Sequence, residues 1–102
     1  MNKTNNICDL IRNNNIGVLS TYCNKNPGFP YGSFLPYVHI NQFDILILIS
    51  DIAEHTKNLD KFKNFSFVIN EVNYKSPFEA RRLCLQGIAK KTNQKKFRLR
   101  YE

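Results

Sequence analysis

The sequence predicts a small, mainly β domain of barrel type with two or three short helices. Length is the first observation behind this: 102 residues, 42% hydrophobic and 13% aromatic, supply one modest core and exclude a multi-domain enzyme. The second is that the β-favouring runs are short and separated by hairpin-sized turns, without the long helical crossovers of a parallel sheet. Thirdly, no internal repeat and no Pro-, Gly- or Ser-rich linker divides the chain. A domain this small leaves apolar groups near its surface, and self-association is a simple way to cover them.

Ile7, Leu10 and Ile11 recur at helical spacing, with Thr4 or Asn5 as N-cap, and Asn13 to Asn15 break that helix. Ile16 to Thr21 reads as a first strand, and Cys23 to Gly28 as a turn. Tyr31 to Ile40 is a second strand, placed at an edge or bulged because Pro36 removes a ladder donor. After a hairpin turn over Asn41 to Asp44, the unbroken run Ile45 to Ile49 predicts a strand buried on both faces. Asp51 is placed to cap a short helix, with Glu54 completing a capping box and Ile52, Leu59 and Phe62 on its apolar side. Phe65 to Asn70 alternates like a strand, Val72 to Glu79 is a loop, and Leu83 to Ala89 is a strand interrupted by Gly87. Gln94 to Tyr101 could begin a further helix.

The formal charge is +7, and it is uneven. Before residue 61 acids slightly outnumber bases, whereas nine basic residues between Lys75 and Arg100 face only Glu79. Such an end can bind a polyanion by counterion release. With no aromatic residue between Leu85 and Lys96 and no nucleic-acid-binding signature, a solvated face is the favoured reading and nucleic acid is not an expected partner. Cys8, Cys23 and Cys84 form no C-x-x-C pair, and neither His39 nor His55 has a second ligand at metal spacing, so no metal site is expected. The longest apolar run is far short of a membrane helix, and the first six residues are polar. A cytoplasmic protein with reduced thiols, not bound to a membrane, is the expectation.

One segment carries candidate chemistry. From Ser50 to Leu59 a strand-end hydroxyl is followed by an imidazole, a hydroxyl, an ammonium and an amide at His55, Thr56, Lys57 and Asn58. Hydroxyls and an ammonium suit an anion, and a phosphate monoester is the natural guest. The same residues would equally serve as the polar face of a short helix.

The order of motifs adds weight to the first reading. Gly17-Val18-Leu19-Ser20-Thr21 and Gly28 to Tyr37 resemble the opening of the pyridoxamine 5′-phosphate oxidase-like, flavin-binding split barrels. Leu48 to Leu59 is similar to the signature of the branch that includes heme-utilisation proteins, and Phe65 to Val68 and Arg82 to Ala89 continue it in order. The resemblance spans roughly residues 7 to 90 and implies a Greek-key-type split β-barrel in a homodimer holding flavin mononucleotide (FMN) between subunits. It implies one domain over 1–102, short of the C-terminal strands of such families. On matching positions Ser33 and Phe34 would line the flavin ring, largely through backbone groups. Ser50, His55, Thr56, Lys57 and Asn58 would surround the phosphate, and Arg82 would face the cofactor. A flavin-dependent oxidoreductase is the implied activity. A catalytically inactive homologue that still dimerises, and polyanion binding by the basic part, stay open as alternatives.

Overall fold

The computed structural model describes residues 3–42, 44–50, 52–71, 75–76, 78–93 and 96–101. Helix α1 (Lys3–Arg12) leads into β1 (Ile16–Tyr22), β2 (Pro30–Pro36), β3 (Val38–Asn41) and β4 (Asp44–Leu48). Helix α2 (Glu54–Lys61) is followed by β5 (Asn64–Asn70), β6 (Arg82–Asn93) and β7 (Lys96–Tyr101). The strands form one seven-stranded sheet in the order β2-β1-β5-β6-β7-β4-β3, antiparallel at every junction.

The two ends of that order are neighbours in sequence. Only Tyr37 separates the last residue of β2 from the first of β3, so the sheet must curl until its edges meet at this residue. The curl encloses the core. Leu19, Phe67 and Leu85 face one another across β1, β5 and β6, and Ile45, Leu99 and Ala89 do so across β4, β7 and β6. All six are buried. Gly17 lies where the inner face is tightest, for a Cβ there would come within 2.3 Å of the Phe67 ring and 2.6 Å of the Val68 carbonyl oxygen.

Helix α1 closes one end of the barrel with Leu10 and Ile11. Of its terminal carbonyls, which a helix leaves without partners further along, those of Asp9, Leu10 and Ile11 find donors. The Asn13 amide donates to Asp9 O at 3.0 Å, the Asn14 side chain to Leu10 O at 2.8 Å, and the Tyr37 hydroxyl to Ile11 O at 2.6 Å. Tyr37 therefore ties the helix to the corner where the sheet edges meet. Its ring also stands edge-on to Phe67, 5.5 Å between centroids.

The mainly β, antiparallel architecture with short helices agrees with the sequence reading, and β2 is indeed at an edge, as Pro36 requires. Five expectations need correction. The segment 31–40 is two strands on opposite edges, because the turn after Pro36 redirects the chain. Residues 96–101 are strand β7 and not a helix, since their alternation places Phe97 and Leu99 in the core between β6 and β4; Gln94 and Lys95 lie outside the described residues. Gly87 does not interrupt its strand, which runs from Arg82 to Asn93 with both neighbours paired. Thr4 and Asn5 lie within α1 rather than at its cap. The run 45–49 is buried on one face only: Ile45, Ile47 and Ile49 point inward, while on the outer face Leu48 is 59% exposed. The capping residue expected for α2, Asp51, is outside the described residues; Ala53 occupies the N-cap position without a side-chain cap.

Candidate functional site

The residues singled out between Ser50 and Asn58 converge on the corner where β4 ends, α2 begins and the edge strand β2 passes. What they do there falls into two groups.

Thr56 and Asn58 are buried and engaged within the chain. The Thr56 hydroxyl donates to the Ser50 carbonyl, fixing the turn that joins β4 to α2. Asn58 is 0% exposed. Its amide nitrogen donates to the Thr21 hydroxyl at 3.1 Å, and its amide oxygen accepts from the Asn24 backbone N–H at 2.8 Å. One side chain thus latches α2 to the inner face of β1 and to the loop that follows. A buried amide needs such partners, so these contacts account for Asn58 structurally.

Ser33, Ser50, His55 and Lys57 form the second group. Ser33 and the His55 Nδ1 atom meet at 3.1 Å, joining β2 to the first turn of α2. The other ring nitrogen, Nε2, is buried and has no hydrogen-bond partner among the described residues. Whichever tautomer is present, this arrangement leaves one polar atom unsatisfied. Burial pushes the His55 imidazole below its usual range, so the neutral ring is favoured. The Ser50 hydroxyl accepts from the Ile52 N–H at 3.3 Å. Lys57 is half exposed and lies 3.8 Å from Glu54, whose carboxylate also meets Lys25 at 3.2 Å. Glu54 sits in the first turn of α2, where a carboxylate complements the helix dipole. It also shares the lysine charge that an incoming anion would use.

Beside this polar corner lies uncovered apolar surface. Phe34, next to Ser33, is 74% exposed; Leu48 and Ile52, on either side of the Ser50 turn, are 59% and 82% exposed. A cluster of polar groups bordered by large exposed hydrophobics suits a ligand with an anionic end and an apolar, flat body.

Arg82 is not brought to this corner within one chain. It stands at the start of β6 opposite Asn70, with β1 and β5 between β6 and β2. Three strand spacings alone amount to ~14 Å. His39 is also remote, held by the Gln42 carbonyl oxygen at 2.6 Å beside the β3–β4 turn. Among the described residues no group of three His, Cys, Asp or Glu could hold a metal ion, and no helix is long and apolar enough to cross a membrane.

Sequence reasoning found the segment but not the pairing of His55 with Ser33, which are 22 residues apart. It also missed Glu54 as the carboxylate between two lysines. The only sequence signal for the latter was the capping-box spacing.

No family model matches the chain, and no curated protein matches its sequence. Solved structures do match its fold. A heme-binding protein from Mycobacterium smegmatis superposes with a TM-score of 0.84 at 19% identity, over 100% of this chain and 52% of that one. A protein of unknown function from Agrobacterium tumefaciens gives 0.85 at 14% identity, over 98% and 53%. HutZ, a heme storage protein from Vibrio cholerae, gives 0.73 at 27% identity, over 92% and 66%. These neighbours are of split-barrel type, and the chain spans about half the length of the first two.

Proposed function

We propose that the β2–β4–α2 corner holds FMN, with the phosphate at Ser33, Ser50, His55 and Lys57 and the ring against Phe34 and the backbone of β2. The observation that carries this reading is the buried Nε2 of His55, unpartnered among the described residues, at the head of a helix and beside Ser33, whose strand neighbour Phe34 is exposed. An anionic oxygen there would satisfy that atom in its protonated form. It would also gain from the N-terminal end of α2 and from Lys57. Thr56 and Asn58 serve the site indirectly, by fixing the turn and the helix that present His55 and Lys57. The flavin, when bound, supplies two-electron chemistry; the protein orients it and excludes water from one face.

A homodimer completes this reading. The outer face of β2-β1-β5-β6 carries Phe34, Val18, Val68 and Cys84 in one cross-strand row. In our proposal a second copy covers this face and brings its Arg82 to the ligand. A dimer that binds flavin without turnover remains compatible with the same geometry.

Heme is the second reading, favoured by the ligands named for the two neighbours from M. smegmatis and V. cholerae. A heme likewise joins a flat ring to anionic groups. Absorbance of the purified protein, then titration with FMN, riboflavin and hemin, separates the two. The FMN reading expects a flavin band, with FMN held at least about tenfold more tightly than phosphate-free riboflavin and the advantage lost in Lys57→Ala. Equal affinity for FMN and riboflavin would remove the phosphate from this corner. A Soret band with hemin and no flavin binding would replace the reading with heme.

A further inference from the structure

Basic residues that are scattered along the sequence gather at one end of the barrel. Strand β6 runs on past its last pair with β5, Asn64 opposite Ile88, and from Lys90 to Asn93 it pairs with β7 alone. This extension stands beside the C-terminal end of α2, where the Ala89 N–H donates to Lys63 O at 2.8 Å. Residues 59–64 and 88–98 hold seven basic residues and one acid, Asp60. Lys91 Nζ lies 3.7 Å from the Asp60 carboxylate. Lys63 Nζ donates to the backbone carbonyls of Leu59 and Asp60 at 3.3 and 3.4 Å. Lys61 and Lys90, both exposed, have no carboxylate partner among the described residues. Lys96 and Arg98 take register positions opposite Asn93 and Lys90. Lys90 is ~20 Å of strand beyond Cys84, so this end lies clear of the row that a second copy covers in the homodimer reading.

An aromatic ring stands among these lysines. Phe62, the residue that ends α2, is 44% exposed. Lys61 Nζ sits 5.6 Å from its ring centroid, and Tyr22 braces the ring edge-on at 5.8 Å. Its backbone is fixed as well, by the Phe62 N–H donating to Asn58 O at 2.9 Å. The basic run itself has no aromatic residue between Leu85 and Lys96, and Phe97 is spent in the core. The fold supplies the missing ring from α2.

Excess positive charge alone attracts any polyanion. The exposed ring discriminates among them. A duplex keeps its bases stacked on one another, and a peptide segment of Asp and Glu offers no flat partner, so neither uses the Phe62 face. Unpaired bases do, because every base has a π-face to stack on an aromatic side chain. We infer that this end of the barrel binds single-stranded nucleic acid, with a base stacked on Phe62 and phosphates held by Lys61, Lys63, Lys90 and Lys91. The surface is at the opposite end of α2 from the Ser50–His55 corner and does not rest on the FMN reading.

Fluorescence anisotropy of labelled oligo(dT) and oligo(rU), each of about 12 nucleotides, titrated with the full chain, tests this. Both should bind saturably, the tighter of the two naming the sugar. Affinity should fall by about 0.7 log units per decade of salt for each phosphate contacted. The double variant Lys61→Gln, Lys90→Gln should flatten that dependence by about 1–1.5, whereas Arg12→Gln, at the α1 end, should not. Phe62→Leu should weaken oligo(dT) at least about fivefold and leave the binding of inorganic polyphosphate, followed by calorimetry, unchanged. Circular dichroism checks that each variant folds. Absence of saturable binding, a matched duplex held more tightly than oligo(dT), or a Phe62→Leu variant that binds like the parent would overturn the proposal. A flattened salt dependence in Arg12→Gln would do the same, by reducing the contact to net charge. So would binding to phosphatidylglycerol vesicles with none to either oligonucleotide, which would make this end a membrane contact.

Discussion

Asn58→Ala separates a latch from a ligand contact. The side chain it removes is 0% exposed and makes two hydrogen bonds, 2.8 Å to the Asn24 N–H and 3.1 Å to the Thr21 hydroxyl. Each bond contributes about 0.5–1.5 kcal/mol net, and a polar partner left without water costs about 1–3 kcal/mol. Asn24 is only partly buried, so water can recover some of its loss. The expected destabilisation is therefore about 2–3 kcal/mol. For a domain of this size that lowers Tm by roughly 10–20 °C. Thermal and urea unfolding followed by circular dichroism measure it, and a double-mutant cycle with Thr21→Val should return a coupling of about 1 kcal/mol. A loss below about 0.5 kcal/mol would refute the latch. An unchanged midpoint with weakened FMN binding would make Asn58 a direct ligand contact instead.

Three further predictions follow from the core and the titrating groups. Gly17→Ala should lower stability by about 1–3 kcal/mol, because its Cβ meets the Phe67 ring and an immovable strand carbonyl; an equal or higher urea midpoint, the usual result of Gly→Ala in a strand, would contradict it. His55 titrates lower in the folded than in the unfolded chain, so the unfolded state binds the proton first. Stability should hold above pH 6.5 and fall as the pH drops from there toward the folded value, with a slope below one proton that disappears in His55→Gln; an identical slope in that variant would remove His55 as the cause. Glu71, held low by its bonds to Arg81, acts separately, in the carboxylate range below pH 4.5. Burial pushes the Tyr37 phenol up to about 12, so stability should decline between pH 10 and 12 as the unfolded chain ionises first, and Tyr37→Phe should flatten that decline. Denaturant midpoints across that range test it.

Local patterns carried most of the strand positions. Alternation at Phe65 to Asn70 and the β-favouring run at Ile45 to Ile49 reflect burial within one element, which spacing records directly. The split at Tyr37 was not legible, because a proline bend and a change of sheet edge look the same along the chain. Residues 96–101 are a strand only because β6 and β4 lie on either side, a tertiary fact with no local marker. At the candidate site, residue type pointed to the segment 50–58, whose polar side chains the fold gathers at one corner. Which polar groups face inward depends on partners more than 20 residues away, such as Thr21 for Asn58 and Ser33 for His55.

The position of β7 has a consequence for how the chain assembles. Without it, β2-β1-β5-β6 would be one ribbon and β4-β3 a detached hairpin, because β7 is the strand that hydrogen-bonds both β6 and β4. During synthesis the first ribbon can zip together as soon as β6 emerges. The hairpin, tethered through Tyr37, must wait some fifty residues for its neighbour and meanwhile exposes the Ile45, Ile47 and Ile49 side chains. That interval, between the emergence of β4 and the arrival of β7, is when a nascent chain of this fold is most open to wrong pairings.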